Sequence, residues 1–209
     1  MELCAGGRTL LAGADLRARA GEKVGLRGAS GCGKSSLLKS AVGLFPLAAG
    51  EVVVDGVSLS PATAGAVRAR VAFVGQEPAL GAETVRDALL LPFRFKAHRD
   101  RRPAERRLLE TLDSLLLPAS IMEKACARVS GGEKQRVAMA RALLMGKTIF
   151  LVDEITSALD PESKRVAMEA LFRPELTMLS VSHDPEWLAR CDRVVSFEGG
   201  RLEEAEGGT

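Results

Sequence analysis

The sequence predicts an α/β fold built around a mostly parallel β-sheet. Short apolar runs at 71–74, 148–153 and 176–181 have the length and continuity of strands that are covered on both faces. Stretches with helical periodicity separate these runs, and a glycine-rich turn at 28–33 joins a further apolar strand to a helix. Because alternating strands and helices are typical of parallel sheets, these observations predict the fold class.

The length and composition favour one domain. We predict a single domain over the 209 residues 1–209, with a helical subdomain inserted at about 83–145. A net charge of +2 gives no nucleic-acid footprint, so no nucleic-acid partner is expected. No apolar run is long enough to cross a bilayer, and Met1–Gly7 lacks a signal-peptide pattern, so we expect the chain on the cytoplasmic side of the membrane. The four scattered cysteines indicate free thiols.

The chain begins with a predicted antiparallel β region at 2–20 that turns at Gly6-Gly7. Phe45-Pro46 is expected to end the helix that follows the glycine-rich turn. A strand at 51–54 comes next, and an Asp55-Gly56 turn closes it.

The insertion at 83–145 is predicted to be helical. Thr84–Leu91 and Ala104–Leu117 have the pattern of amphipathic helices, and prolines punctuate the region. The basic segment 94–102 separates the two helices. A solvated face is the favoured interpretation of this segment, and contact with an anionic membrane surface is the alternative.

The C-terminal part alternates strands with capped helices. Asp160 is predicted to cap a helix at 161–172. Asp184 is predicted to cap a short helix after the strand at 176–181, and residues 193–205 are predicted to form a hairpin.

The glycine-rich turn has the spacing G-x-x-x-x-G-K-S. Its glycines let backbone N–H groups point inward at one anion, and the helix start adds further N–H groups. Lys34 is predicted to reach the β- and γ-phosphates of a nucleoside triphosphate, and Ser35 to offer its hydroxyl to Mg²⁺. The predicted nucleotide-binding residues of this turn are Gly28, Ala29, Ser30, Gly31, Cys32, Gly33, Lys34, Ser35 and Ser36.

Polar residues follow three of the predicted strands, where ligands of parallel sheets collect. Asp153 is predicted to hold Mg²⁺, and Glu154 to accept a proton from the water that attacks the γ-phosphate. Gln76 is a candidate ligand of the metal or its bound water, although a glutamine after a strand is usually only a loop residue. His183 is a candidate γ-phosphate sensor, although a lone histidine is usually structural.

A second glycine motif, Ser130-Gly-Gly-Glu-Lys-Gln-Arg136, leads into a helix that reaches about Met145. Ser130 with Glu133 fits a capping box, which is a purely structural role. Capping does not explain Gly131 and Gly132, because each glycine in a first helical turn costs about 1 kcal/mol relative to alanine. We therefore predict a second phosphate-binding surface at residues 130–133.

The order of these motifs resembles the ATP-binding cassettes of ABC transporters. The resemblance runs from the glycine-rich turn through Gln76, residues 130–136, residues 153–160 and His183, which is nearly the whole chain. It implies a P-loop NTPase fold and an ATPase that uses ATP and Mg²⁺. Glu154 is then the implied catalytic base, with Lys34 and His183 on the γ-phosphate.

The same resemblance implies the partners. A homodimer is expected to close head to tail on two ATP molecules, with Gly131 and Gly132 touching the γ-phosphate that Lys34 of the second copy holds. Asp160 is expected to help connect the two sites. A multi-span membrane permease is the further implied partner, with the cassette peripheral to the cytoplasmic face of the inner membrane.

Two positions depart from the family pattern. Most cassettes carry an early aromatic residue that stacks on adenine, and the matching position here is Cys4 or Ala5, neither of which stacks. Cys32 stands inside the P-loop at a position usually held by a small residue. We hypothesise that alkylation of this thiol blocks activity.

Within the family the chain is similar to the bacterial iron-export (Fet-type) cassettes. The residues that carry this likeness lie at 84–95, 117–121 and 153–160, where Ile155 stands in place of the usual proline. It implies iron export, with the cargo chosen by the membrane subunit. The alternatives are cassettes for lipoprotein release, cell division or nutrient import, a soluble non-transport cassette, and a P-loop kinase, which leaves residues 130–133 unexplained.

Overall fold

The computed structural model describes residues 1–204. They fall into two compact units. The first unit comprises residues 1–71, residues 148–154 and the described residues from Pro174 onward. The second unit comprises residues 72–147 and 155–173.

The strands and helices follow the predicted alternation. The strands are β1 Leu3–Ala5, β2 Arg8–Leu11, β3 Lys23–Gly28, β4 Val53–Val54, β5 Val57–Ser58, β6 Val71–Val74, β7 Ile149–Asp153, β8 Thr177–Val181, β9 Arg193–Glu198 and β10 Arg201–Glu204. The α-helices are α1 Lys34–Ser40, α2 Ala64–Arg70, α3 Val85–Leu90, α4 Glu105–Asp113, α5 Gly131–Leu144, α6 Pro161–Leu171 and α7 Pro185–Ala189.

The sheet of the first unit runs in the order β10-β9-β3-β8-β7. The strands β7, β8, β3 and β9 are parallel, and β10 adds an antiparallel edge. Val181 of β8 pairs with Leu26 on one side and with Asp153 on the other, so these three strands end at nearly the same level. The predicted mostly parallel sheet is confirmed, and its carboxyl ends share one edge.

The core of the first unit lies on both faces of this sheet. The strand residues Val24, Leu26 and Phe150 are at most 1% exposed. Burial on both faces explains why these strands are continuous apolar runs and do not alternate. Trp187 of α7 is also buried, and its indole Nε1 donates a hydrogen bond to Ser180 Oγ at 2.9 Å. This bond gives the buried indole N–H a partner.

Two short hairpins of the first unit form where the sequence predicts turns. β1 and β2 pair antiparallel across Gly6-Gly7, which confirms the N-terminal antiparallel region. β4 and β5 pair across Asp55-Gly56, whose φ angles are 50° and 72°. Two consecutive positive φ values are what a two-residue hairpin turn requires, and Asp-Gly supplies them at low cost.

Some element boundaries differ from the prediction. α1 ends at Ser40 and not at Phe45, because the chain leaves the helix through turns that end at Gly43, with φ 67°. α4 ends at Asp113 and not at Leu117, since Leu116 has φ 54°. The C-terminal hairpin forms as predicted through Glu204, and its last predicted residue, 205, lies outside the described residues.

The second unit is mainly helical. α5 is its centre, and α3, α4 and α6 all pack on it. Its side chains Val137, Met139 and Ala140 are completely buried. α4 is amphipathic as predicted and turns Leu108 and Leu112 inward.

The longest helix of the second unit, α5, has 14 residues. Within residues 1–204, no helix combines the length and apolar character that a bilayer-spanning segment needs.

Candidate functional site

The glycine-rich turn lies between the end of β3 and the start of α1. A side chain at Gly28 would collide with the backbone carbonyl of Phe197 on the neighbouring strand β9. Gly31 and Gly33 have φ angles of 75° and 115°, which L side chains rarely adopt. Glycine is therefore required at 28 by space and at the other two positions by the backbone path.

Lys34 reaches back over this turn. The residue is 4% exposed, and its ammonium Nζ donates hydrogen bonds to the carbonyl oxygens of Gly28 and Ala29, both at 2.8 Å. The positive charge is thus held within the curve of the loop, where it would meet an anion bound by the loop N–H groups. This position fits the predicted contact with a phosphate chain.

Ser35 and Asp153 meet although 118 positions separate them. Ser35 Oγ donates a hydrogen bond to Asp153 Oδ1 at 3.0 Å. Asp153 is buried, and this burial raises the pKa of its carboxyl. The hydrogen bond from Ser35 lowers the pKa, while the negative charge of the adjacent Glu154 raises it further. A cation at this point would relieve the desolvated carboxylate.

The donor set at this point fits Mg²⁺. A hydroxyl and a carboxylate are hard oxygen donors, and Mg²⁺ in phosphate-binding enzymes is held by one or two such groups together with substrate phosphates and water. Among residues 1–204 there is no cluster of three or more histidine, cysteine or acidic side chains that holds a metal by itself. The pair therefore suits a metal that arrives with a nucleotide.

Glu154 and His183 lie together at the same edge of the sheet. Glu154 Oε1 is 3.4 Å from His183 Nε2, and the Glu154 backbone N–H donates to Val181 O at 2.9 Å. Glu154 has φ 47°, an unfavourable conformation for a residue with a long side chain. Such strain persists where surrounding structure enforces it and is common at functional sites.

Four of the predicted site elements of the first unit are thus adjacent. The glycine-rich turn follows β3, and His183 lies just past β8. Asp153 is the last residue of β7, and Glu154 comes directly after it. The parallel register of β3, β8 and β7 places all of them at the carboxyl edge of one sheet.

The second glycine motif begins α5 in the second unit. Ser130 Oγ accepts a hydrogen bond from Glu133 N, and Ser130 N donates to Glu133 Oε2 at 2.8 Å, so the predicted capping box is present. Lys124 Nζ also contacts both carboxylate oxygens of Glu133, at 2.8 and 3.1 Å. The Lys124 ammonium, with the Ser130 backbone N–H, lowers the pKa of Glu133. This Lys124 contact was not predicted from the sequence.

Gly131 and Gly132 have different surroundings. A Cβ at Gly132 would lie 2.9 Å from the carbonyl oxygen of Ala158, so this glycine is explained by packing inside the chain. A Cβ at Gly131 would meet nothing within 4 Å. Packing within the described chain therefore does not explain why residue 131 is a glycine.

Asp160 caps α6 as predicted. Its Oδ1 accepts from Ser163 N at 2.9 Å and its Oδ2 from Ser163 Oγ at 2.6 Å. These two bonds hold the pKa of the exposed Asp160 carboxyl below its usual value. The predicted helix cap is therefore present. Residues 157–160, which precede the helix, are exposed or partly exposed.

Gln76 lies in an exposed turn just past β6. Two side chains of α5 hold the backbone of this region in the second unit. Gln135 Nε2 donates to Gly75 O at 3.2 Å, and Arg141 donates to Leu80 O at 2.9 Å. Neither anchor was predicted from the sequence. Gln135 stands between two charged residues and gives no distinguishing signal, whereas Arg141 is a charged residue between two alanines.

Comparison with known proteins agrees with the motif order. The model of a family described as "ABC transporter" matches residues 11–157. The probable iron export ATP-binding protein FetA of Escherichia coli is 35% identical over 96% of this chain and 91% of its own length. The methionine import ATP-binding protein MetN of Caulobacter vibrioides is 37% identical over 95% of this chain and 62% of its own length.

Other relatives are much longer than this chain. Multidrug resistance protein 3 of Entamoeba histolytica is 34% identical over 93% of this chain, which spans only 16% of that relative. Among solved structures, the dimeric post-hydrolysis state of the ATP-binding cassette MJ0796 with ADP and Pi has a TM-score of 0.83 at 28% identity, over 99% of this chain and 96% of that one. A bacterial Atm1-family ABC exporter with ATP bound also has a TM-score of 0.83, at 25% identity, over 98% and 37%.

The Lys124–Glu133 pair gives a testable contribution to stability. We expect Lys124→Met to lower the free energy of unfolding by about 0.5–1 kcal/mol, because the partly exposed pair is charged and also supports the capping box. The same change in a Glu133→Gln background is expected to cost far less, and a double-mutant cycle in urea measures the difference.

The pH dependence of this coupling has a defined sign. The pKa of Glu133 is lowered in the folded protein, so the stabilisation is complete above the ordinary carboxyl pKa and disappears as the pH falls through the folded value. A coupling energy that stays unchanged in acid contradicts this assignment.

Cys32 gives a second prediction for this site. Its Sγ is 3.9 Å from Lys34 Nζ, so an N-ethylmaleimide adduct would occupy the loop that surrounds the ammonium. We expect alkylation to reduce nucleotide binding and hydrolysis at least tenfold, on the order of one lost charge-assisted phosphate contact. Cys32→Ser, which retains the exposed Cys4, is the matched control and should resist the reagent. Full activity with Cys32 shown to be modified by mass spectrometry rejects the hypothesis.

Proposed function

This chain belongs to the ABC transporter family, whose ATP-binding subunits hydrolyse ATP, and we propose that it couples this hydrolysis to transport through a separate membrane subunit. Family membership confirms the resemblance drawn from the motif order. The observation that carries the proposal is the sheet edge where Lys34, Ser35, Asp153 and Glu154 lie together. This edge brings together a glycine-rich turn that holds an ammonium, a hydrogen-bonded hydroxyl–carboxylate pair and a carboxylate on a strained backbone.

The glycine-rich turn and Lys34 are proposed to bind the triphosphate. Loop N–H groups and the Lys34 ammonium oppose the negative charge of the β- and γ-phosphates. Ser35 and Asp153 are the residues that would hold Mg²⁺, which supplies further neutralisation of phosphate charge when bound. Gln76 as a further oxygen donor stays a prediction from the sequence.

Glu154 is proposed to act as general base. Its carboxylate accepts a proton from water as the water oxygen bonds to the γ-phosphorus, the bond from that phosphorus to the β-γ bridging oxygen breaks, and ADP leaves. His183, 3.4 Å from Glu154 Oε1, is proposed to orient this carboxylate and to contact a γ-phosphate oxygen. The strained backbone at residue 154 supports a carboxylate held in one direction.

A second copy of the chain is proposed to complete each site when ATP binds. Gly131 is exposed at the start of α5, and no neighbour in the described chain explains the absence of a side chain. In a head-to-tail dimer this backbone would approach the γ-phosphate bound by the other copy, with Ser130 and Gly132 beside it. The dimeric form of the MJ0796 cassette supports this assembly, with Asp160 proposed to connect the two sites.

We propose iron export as the transport process. The likeness to the probable iron export protein FetA covers 91% of that relative. In this proposal the partner is a multi-span permease, and the cassette is peripheral to the cytoplasmic face of the inner membrane. MetN, at 37% identity but with only 62% of its length covered, favours methionine import as a second candidate.

Co-purification with an affinity-tagged full chain tests for the membrane subunit, and deletion of the gene distinguishes the two candidates. Under the first proposal the tagged chain should co-purify with a multi-span membrane protein, and deletion of the gene should raise cellular iron and sensitivity to iron stress. A methionine requirement with unchanged iron content supports the second candidate and rejects iron export.

The proposed base is tested by Glu154→Gln, which retains the size of the side chain and removes its basicity. We expect ATP affinity to change little and turnover to fall at least ~10²-fold, the scale of losing a general base. Glu162→Gln, an exposed substitution in the first turn of α6, is the matched control with normal turnover. A Glu154→Gln protein with near-normal turnover contradicts the assigned role.

The proposed dimer contact is tested at both glycines. We expect Gly131→Asp to leave the melting temperature nearly unchanged, because the position is open, but to reduce ATP hydrolysis at least ~10²-fold by charge repulsion with the triphosphate. Gly132→Ala should reduce stability as well, because its Cβ meets Ala158 O at 2.9 Å. Parental hydrolysis in Gly131→Asp argues against the shared site.

A further inference from the structure

The basic segment 94–102 concentrates the positive charge of the chain. Its nine residues include five arginine or lysine side chains and one aspartate, a net charge of +4. The whole chain carries +2, so the other residues together are net negative by two charges. The positive charge is therefore local, and an anionic partner would be attracted to this segment and not to the chain as a whole.

This segment has a defined backbone. It begins at the end of a 3₁₀ turn, Leu91–Arg94, and contains a second one, Arg99–Arg101. Phe93 is buried and anchors the first turn, while His98 N donates to Phe95 O and Arg101 N to His98 O, both at 3.0 Å. The charges are thus presented on ordered turns.

Phe95 is the one aromatic side chain of this segment that is exposed, since His98 is partly buried. It is 63% exposed, the largest value among the large apolar side chains that are exposed in residues 1–204. Arg94 and Lys96 flank it and are also exposed. An exposed aromatic ring surrounded by cations is the composition of segments that sit in the headgroup region of a membrane, where the ring enters the apolar boundary and the cations meet phosphates.

Most of these cations remain available to such a surface. Arg94 is paired with Asp87 at 2.7 Å and serves mainly to order the segment. Lys96, Arg99 and Arg102 are exposed on the turns that follow. Asp100 is the one acidic residue within the segment.

We propose that residues 94–102 bind the anionic phospholipid surface of a membrane, with Phe95 inserted among the headgroups and Lys96, Arg99, Arg101 and Arg102 on lipid phosphates. A nucleic acid fits less well, because the charge is confined to one short segment and the partly buried His98 leaves Phe95 as its one exposed stacking platform. The contact goes beyond the proposed function, since it needs neither nucleotide nor permease.

The test is co-sedimentation of the full chain with lipid vesicles, without nucleotide. We expect binding to phosphatidylcholine vesicles that contain about 30 mol % phosphatidylglycerol to exceed binding to pure phosphatidylcholine at least tenfold, and to weaken in high salt. The triple variant Lys96→Gln, Arg99→Gln, Arg102→Gln should lose at least tenfold of this binding.

A charge-matched control distinguishes an effect of segment 94–102 on vesicle binding from an effect of overall positive charge. Arg106→Gln, Arg165→Gln, Arg173→Gln removes three exposed cations elsewhere in the second unit and should change vesicle binding less than about threefold. Equal losses in the two triple variants, or no preference of the parent protein for anionic vesicles, overturn the proposal. ATPase activity without vesicles is measured for every variant, so a failure of the proposed function is seen separately.

Insertion of the ring is tested by Phe95→Trp. The native Trp187 is 1% exposed, so its emission should not respond to vesicles. We expect the emission of the new tryptophan to shift to shorter wavelength with anionic vesicles but not with inorganic polyphosphate, which offers the same charge without an apolar boundary. The lipid proposal is wrong if the parent protein does not bind vesicles and the Lys96→Gln, Arg99→Gln, Arg102→Gln variant fails to co-purify with a membrane subunit in detergent. That pair of results would mean that segment 94–102 contacts protein.

Discussion

The parallel pairing of β3, β8 and β7 is the constraint on which the proposed catalytic edge depends. Val181 in the central strand pairs with Leu26 on one side and Asp153 on the other, so three strand ends are held level. The Ser35–Asp153 hydrogen bond at 3.0 Å and the Glu154–His183 contact at 3.4 Å both follow from this register. A slip of one residue would turn the Asp153 carboxylate to the opposite face of the sheet.

In the second unit a single helix has a comparable role. α5 begins with the glycine motif, which the capping box and Lys124 hold from one side. Further along, Gln135 and Arg141 bind backbone carbonyls on either side of the Gln76 region. A displacement of α5 would therefore move the glycine motif and the Gln76 region together. This shared dependence gives the second unit a physical means of linking the proposed nucleotide contact at Gly131 to the helices packed around α5.

Three local free-energy costs in the chain support the proposals. Glu154 adopts φ 47°, and Gly131 gives up the helix propensity of a larger residue without any packing reason in the described chain. Gly132 differs, because Ala158 approaches it within the same chain. The exposed Phe95 is a third such cost, since an apolar ring stays in water on an ordered turn. Each of these costs is offset if the residue meets a ligand or partner.

The sequence by itself determined the features that depend on neighbours along the chain. Turn glycines, the Ser130–Glu133 capping box, the Asp160 cap and the apolar strands are set by local sterics and periodicity, so they were predictable. Only the tertiary structure decided which distant groups meet. Lys124 on Glu133, Gln135 on Gly75 O and Ala158 against Gly132 depend on side-chain reach between separate segments, which spacing in the sequence does not encode. The ends of α1 and α4 also differ from the prediction, because the backbone turns away at Gly43 and Leu116, which have positive φ, before it reaches the next proline.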